Sequence, residues 1–123
     1  MTSAPGRLLP PCPPRPNCVC SQSEEQRHAV APIPLAGRAQ IEALTLLTRI
    51  VSSLPGGEVV GRTEHYLHCE FTSRWLHFVD DVDFAVDPEA GVIHVRSAAR
   101  TGWWDFGVNR RRVEKIRQLY STP

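Results

Sequence analysis

From Arg38 to Leu54 apolar residues recur three or four positions apart, at Ile41, Leu44, Leu47, Val51 and Leu54. That spacing puts them on one face of a helix, and Pro55, Gly56 and Gly57 end it. The period then shortens to two. Glu58 to Arg62 reads as a first strand, and Thr63 to His65 as the turn that follows. In Tyr66 to Thr72 the apolar Leu67, Cys69 and Phe71 alternate with Tyr66, His68 and Glu70, the pattern of a half-buried strand. From Trp75 to Val86 the alternation continues, with Phe78, Val82, Phe84 and Val86 on one face and Val79, Asp81, Asp83 and Ala85 on the other. Asp80 falls on the apolar face, where an unpaired carboxylate is costly, so a neighbouring arginine is expected against it. Asp87-Pro88-Glu89-Ala90-Gly91 has the composition of a turn, and Val92 to Ser97 returns as an antiparallel strand. A last helix from Asn109 to about Tyr120 buries Val113, Ile116 and Tyr120. Asn109 serves as its N-cap and Val108 staples onto Val113.

The order helix, four strands, helix predicts an α+β domain, an antiparallel four-stranded sheet with both helices on one face. The other face then presents Tyr66, His68, Glu70, His94 and Arg96, too polar a set for a core. Eight of the 11 prolines precede Leu35, so residues 1–35 read as a proline-rich extended arm. Ile33 and Leu35 anchor that arm onto a single domain spanning 36–123.

Length and charge narrow the function. A chain of 123 residues is one domain's worth. Its formal net charge of +1 lacks the basic excess that nucleic-acid binding demands, so no nucleic-acid partner is expected. No apolar run is long enough to span a membrane, and the opening MTSAPGRLLPPCPPRP has no continuous apolar core of a signal peptide. Together these predict a cytoplasmic chain, with hydropathy arguing against membrane insertion.

Candidate chemistry concentrates in His94–Arg112, HVRSAARTGWWDFGVNRRR. Arg110, Arg111 and Arg112 occupy the first turn of the last helix, where the dipole disfavours cations, so a negative partner is expected. The residues concerned are Arg74, Arg96, Arg100, Arg110 and Arg112 with Asp80, Asp81, Asp105 and Asn109. They support two readings. One is an ion-pair network that fixes the loop before the helix, with Asp80 and Asp81 as structural partners. The other is a pocket for a small anion, phosphate or carboxylate, clamped by Arg96 and Arg100 beside the helix N-terminus, with Arg74, Asp105, Asn109, Arg110 and Arg112 around it. Trp103 and Trp104 offer a stacking or protein-contact platform, one packed and the other partly exposed, which Trp75 extends.

Two further sets are weaker. His65, His68, His77 and His94 with Asp80 and Asp81 have the residue types of acid-base catalysis, but no nucleophile elbow or metalloprotease motif accompanies them. Cys12, Cys18 and Cys20 with His28 supply zinc-ligand types without a C-x-x-C knuckle. A Cys12–Cys18 disulfide under oxidising conditions and inert thiols are the other readings of these cysteines. No metal or cofactor is called for.

The stretches CPPRPNCVC, YLHCEFTSRWLHFVDDVDF and IHVRSAARTGWWDFGVNRRRVEKIR resemble the pattern of the DUF1499 family, over about Cys12 to Arg117. The resemblance implies one compact domain and carries no assigned reaction. It also implies relatives that are exported or membrane-anchored. Cys20 and Ala99 stand where the family pattern reads serine, and Cys69 where it reads alanine. The reading that results is a non-enzymatic binding or interaction module, for a small anion or a protein partner. The alternative is an enzyme of unknown reaction using His and Asp residues beside the same loop.

Overall fold

The computed structural model describes residues 7–122; the first six residues of the expected arm and Pro123 lie outside them. Strands β1 (Cys18–Cys20) and β2 (Ile33–Pro34) precede helix α1 (Gln40–Ser53). Strands β3 (Gly57–Arg62), β4 (Tyr66–Thr72), β5 (Val79–Asp87) and β6 (Val92–Ala99) follow, then helix α2 (Val108–Ser121). The sheet is antiparallel in the order β1-β6-β5-β4-β3, with β2 also alongside β6.

The sheet has six strands where the hydrophobic pattern predicts four, and the two additions come from the proline-rich stretch. Cys18–Cys20 pairs with Arg96–Ala98, and Ile33–Pro34 with Val92–Ile93. Pro16 just before the first segment, and Pro32 and Pro34 at the second, disfavour helix and leave these segments extended. They cover the free edge of β6, which would otherwise expose a row of unpaired backbone groups. Pro34 is tolerated because an edge strand has an N–H side with no ladder partner. All three residues of β1 are buried, so it carries no alternation to be read. One of its faces meets the main core through Val19, and the other meets Leu9 and Ala85 through Cys20.

The β4 pattern is a strict alternation, with Leu67, Cys69 and Phe71 buried and the residues between them half-buried. Those side chains join Val82, Phe84, Ile93 and Val95 in one core with residues of both helices, so α1 and α2 share one face of the sheet. Helix α1 buries Ala43, Leu44, Leu47, Ile50 and Val51. Ile41, expected on that face, is 69% exposed. Two consecutive three-residue steps each rotate about 60° away from the stripe, which places Ile41 roughly 120° from Leu47. At the end of α1 the Gly56–Gly57 pair is needed sterically, since a Cβ at Gly57 would strike the Val51 carbonyl and one at Gly56 the Thr72 carbonyl.

Two expected elements begin elsewhere. Residues 73–78 do not extend β5; they form the turn that reverses β4 into it. The Ser73 N–H donates to the Phe78 carbonyl (2.8 Å), the Phe78 N–H to Ser73 Oγ (2.9 Å), and His77 adopts φ 54. Helix α2 begins at Val108 with Gly107 as N-cap at φ 77, so Asn109 is its second residue and fully buried, not its cap. Asp105 does the capping, accepting the N–H groups of Gly107 (2.8 Å) and Asn109 (3.2 Å).

Candidate functional site

The turn at 73–78 and the loop at 100–107 rise from the same end of the sheet, because Thr72 pairs with Val79 and Asp80 with Ala99. Between them lies a cleft of about 840 Å³ walled by Leu76, Phe78, Trp104, Phe106 and Val108 over Phe71. Both tryptophans of the loop are exposed, where one was expected in the core. Trp104 and Phe106 meet edge to face with centroids 6.2 Å apart. Phe106 sits at φ 54 while its ring is 76% exposed. A left-handed conformation costs a bulky residue roughly 1–2 kcal/mol, and no burial of the ring offsets it. The conformation is held locally by Arg111, which donates to the Phe106 carbonyl (2.9 Å).

At the floor of the cleft Arg112 lies over the Phe71 ring, 4.7 Å from its centroid, and pairs with Asp80 at 2.9 Å. Thus the carboxylate on the apolar face meets a guanidinium. Arg112 also donates to Asn109 Oδ1 (2.8 Å) and Ser97 Oγ (3.2 Å), and Ser97 Oγ donates in turn to Asn109 Oδ1 (2.6 Å). The Asn109 amide completes the knot by donating to Asp105 (2.8 Å) and to the Asn17 carbonyl (3.3 Å). Asn17 donates from its side chain to the Gly102 carbonyl (2.6 Å), tying the first strand to the aromatic loop.

The remaining arginines do not converge on this floor. Arg100 turns to the opposite face of the sheet, where it bridges Asp81 (2.7 Å) and Glu70 (2.9 Å). Arg96 lies on that face too and reaches the Pro11 carbonyl (3.4 Å). Arg110 donates to the carbonyls of Ala29 (2.7 Å) and Arg27 (3.0 Å), pinning the segment between β1 and β2. Arg74 stands on the cleft rim over the Trp75 ring, 4.9 Å from its centroid, with no acidic partner among the described residues.

The helix-free face of the sheet is a polar ladder. Tyr66, Ala85 and His94 stand abreast on β4, β5 and β6; so do His68, Asp83 and Arg96, and then Glu70, Asp81 and Ala98. Asp83 Oδ1 accepts from the Tyr66 hydroxyl and from His68 Nδ1, the latter at 2.6 Å. The Arg100 guanidinium bonded to Asp81 holds that carboxyl below the usual carboxylate range, against a smaller opposing effect of burial. Asp81 and Glu70 in turn make Arg100 harder to deprotonate. Burial first, and the bond to Asp83 second, raise the Tyr66 phenol. On the core side, burial pushes the Cys69 thiol up to about 12, too high for a nucleophile at neutral pH.

His68, Glu70 and Asp81 each place a ligand-type atom within 4.8 Å of the others. Arg100 already lies between the two carboxylates, so its guanidinium supplies the positive charge that a cation would bring. His65 and His77 lie apart from this face, in the turns before β4 and β5. The four residues considered for zinc are otherwise engaged or separated: Cys12 and Cys18 form a disulfide (Cα–Cα 5.7 Å), and His28 Nδ1 donates to the Cys18 carbonyl (2.9 Å).

Sequence reasoning missed Asn17, Ser97 and the pairing of Asp83 with Tyr66 and His68. Asn17 sits among prolines, where no periodicity marks a buried position. Ser97 carried a signal, since it shares a strand face with the apolar Ile93 and Val95 and so faces the core.

The model of the family described as protein of unknown function (DUF1499) matches residues 8–119. Comparison with curated proteins and with solved structures finds no match. With nearly its whole described length matched by one family model, the chain belongs to the DUF1499 family.

Proposed function

We propose that this protein is a non-enzymatic binding module whose ligand, apolar or amphipathic, seats in the cleft between the 73–78 turn and the 100–107 loop. One observation carries the reading. Of the ten large apolar residues exposed among the described residues, seven lie on these two loops and at the first position of α2. Singly exposed apolar residues need no explanation, but a contiguous patch does. A cleft of about 840 Å³ is also within the range of small-molecule sites. The floor adds a polar point, the Arg112–Asp80 pair, toward which a ligand's head group can turn.

A pocket for a bare small anion has less support. Arg100 and Arg112 already carry carboxylates, and Arg96 and Arg110 donate to main-chain carbonyls. Arg74 remains as the cation for an anionic group at the rim.

The test is thermal unfolding with dodecanoate below its micellar range, dodecanol and inorganic phosphate, on wild type and Phe78→Asp. A ligand at a hundredfold its dissociation constant adds about 2.7 kcal/mol of stability. Dodecanoate or dodecanol is expected to raise the wild-type midpoint and not that of a folded Phe78→Asp. Stabilisation by phosphate alone would favour the small-anion pocket, and no shift with any compound would remove the cleft as a ligand site.

An enzyme is the second reading, favoured by one contact, His68 Nδ1 to Asp83 at 2.6 Å, which orients the ring as acid-base pairs do. Its Nε2 faces the Asp81 carboxylate at 3.5 Å, which occupies the position a substrate proton would need.

A further inference from the structure

We infer that the two aromatic loops dock the protein on an anionic lipid surface, an inference that rests on the binding reading of this end of the sheet. The chain's three tryptophans, Trp75, Trp103 and Trp104, all stand here, beside Leu76, Phe78 and Phe106. Tryptophan is the side chain most at home at the level of lipid head groups, and phenylalanine and leucine supply the apolar area that holds a peripheral protein there.

Local charge selects the sign of the surface. The acidic groups of the cleft are engaged within the protein: Asp80 binds Arg112, and Asp105 holds the N-terminus of α2. Arg74 touches the Trp75 ring, and Arg111 donates to the Phe106 carbonyl, so both keep guanidinium donors for phosphate oxygens. Counted formally, the three arginines Arg74, Arg111 and Arg112 against the two carboxylates Asp80 and Asp105 leave this end one positive charge in excess, carried outward by Arg74 and Arg111.

Directional recognition is scarce on the same surface, which favours a lipid surface over a protein. Protein interfaces ring an apolar centre with polar groups that pair across it. Here Ser73 Oγ accepts from the Phe78 N–H, and the Asp80 and Asp105 carboxylates are bonded internally, so that apolar contact and positive charge outweigh the few hydroxyls, such as that of Thr101, which line the cleft. Penetration stops at the head groups, because the loop backbone outside the β-ladder still needs water or polar partners. The Arg111 bond holds the Phe106 backbone and the ring meets Trp104 edge to face, which lowers the entropy lost on docking.

The experiment is flotation of the purified protein with vesicles of phosphatidylcholine alone and of phosphatidylcholine with phosphatidylglycerol, at low and high salt. Flotation is expected with the anionic vesicles only, and high salt should weaken it. Leu76→Asp should abolish it, with Trp75→Ala as the second variant should the first fail to fold. Arg74→Gln should weaken it about fivefold, the effect of one basic residue near such a surface. If the protein stays with the aqueous phase for both vesicle types while dodecanoate still raises its melting midpoint, lipid docking is overturned and the cleft reading stands. Flotation unchanged by Leu76→Asp or by Arg74→Gln overturns the docking surface or its charge selection, respectively. Capture of a protein through these loops without vesicle binding also overturns it.

Discussion

His94 shows how one side chain's surroundings shift its affinity for a proton. Ser21 Oγ accepts the Val95 N–H (2.8 Å) and stands 3.0 Å from His94 Nδ1, a contact that either tautomer of the neutral ring can make. Burial holds the imidazole below the usual histidine range, with Asp87 pulling more weakly the other way. In the unfolded chain His94 takes up its proton near pH ~6.5; in the folded chain it does so at lower pH. Its contribution to stability is therefore complete above about pH 6.5 and is lost as pH falls through the folded pKa. Urea midpoints measured from pH 7.5 to 5 should fall less steeply in His94→Gln than in wild type; parallel slopes would show that His94 is as free to protonate folded as unfolded. At this scale the sequence was informative about faces. The alternation around Tyr66, His68 and Glu70 placed them on the polar side. It said nothing of partners, because register across three strands decides that Asp83 stands between His68 and Arg96.

Among the elements, the loop before α2 owes its shape to a knot of five residues rather than to the helix's own capping. Arg112, Asp80, Asn109, Ser97 and Asp105 satisfy one another, and Asn17 links the knot to the first strand. Arg112→Met keeps the packing over Phe71 but leaves Asp80 without its cation, and removing one partner of a largely buried pair costs about 3 kcal/mol. Urea denaturation should show that loss in Arg112→Met, with part of it recovered in the double variant Arg112→Met/Asp80→Asn. Arg100→Gln, at an exposed ion pair, should move the midpoint little. No recovery in the double variant would mean that the loss comes from the bonds of Arg112 to Asn109 and Ser97 and not from an unpaired Asp80. The β5–β6 hairpin was legible from Pro88 and Gly91, which mark their turn. The β4–β5 turn was not, because the strand period was read from Trp75 onward while the chain reverses through His77 at φ 54, a position composition does not flag. Capping by Asp105 was obscured by Asn109, a better cap by residue type but one that the Ser97 and Asp105 bonds draw inside.

Across the whole molecule, two features arise only when distant stretches meet. The proline-rich segment becomes two edge strands because β6 has a free side for it, and the Cys12–Cys18 disulfide and Arg110 hold it there. No helix among the described residues is long and apolar enough to cross a membrane. A linear hydropathy reading also passes over the aromatic cleft, since its two walls lie about one hairpin apart in sequence and each alone is short. On the proposed function, both loops hold their aromatic side chains open to solvent until a ligand or surface covers them. Because all three tryptophans stand there, acrylamide quenching of intrinsic fluorescence reads this end of the molecule alone. The free protein should emit at long wavelength and be quenched readily, with emission shifting to the blue and quenching suppressed when dodecanoate or anionic vesicles are added. Blue, poorly quenched emission from the free monomer would rule out the proposed function, since it would mean that the loops close over their own cleft.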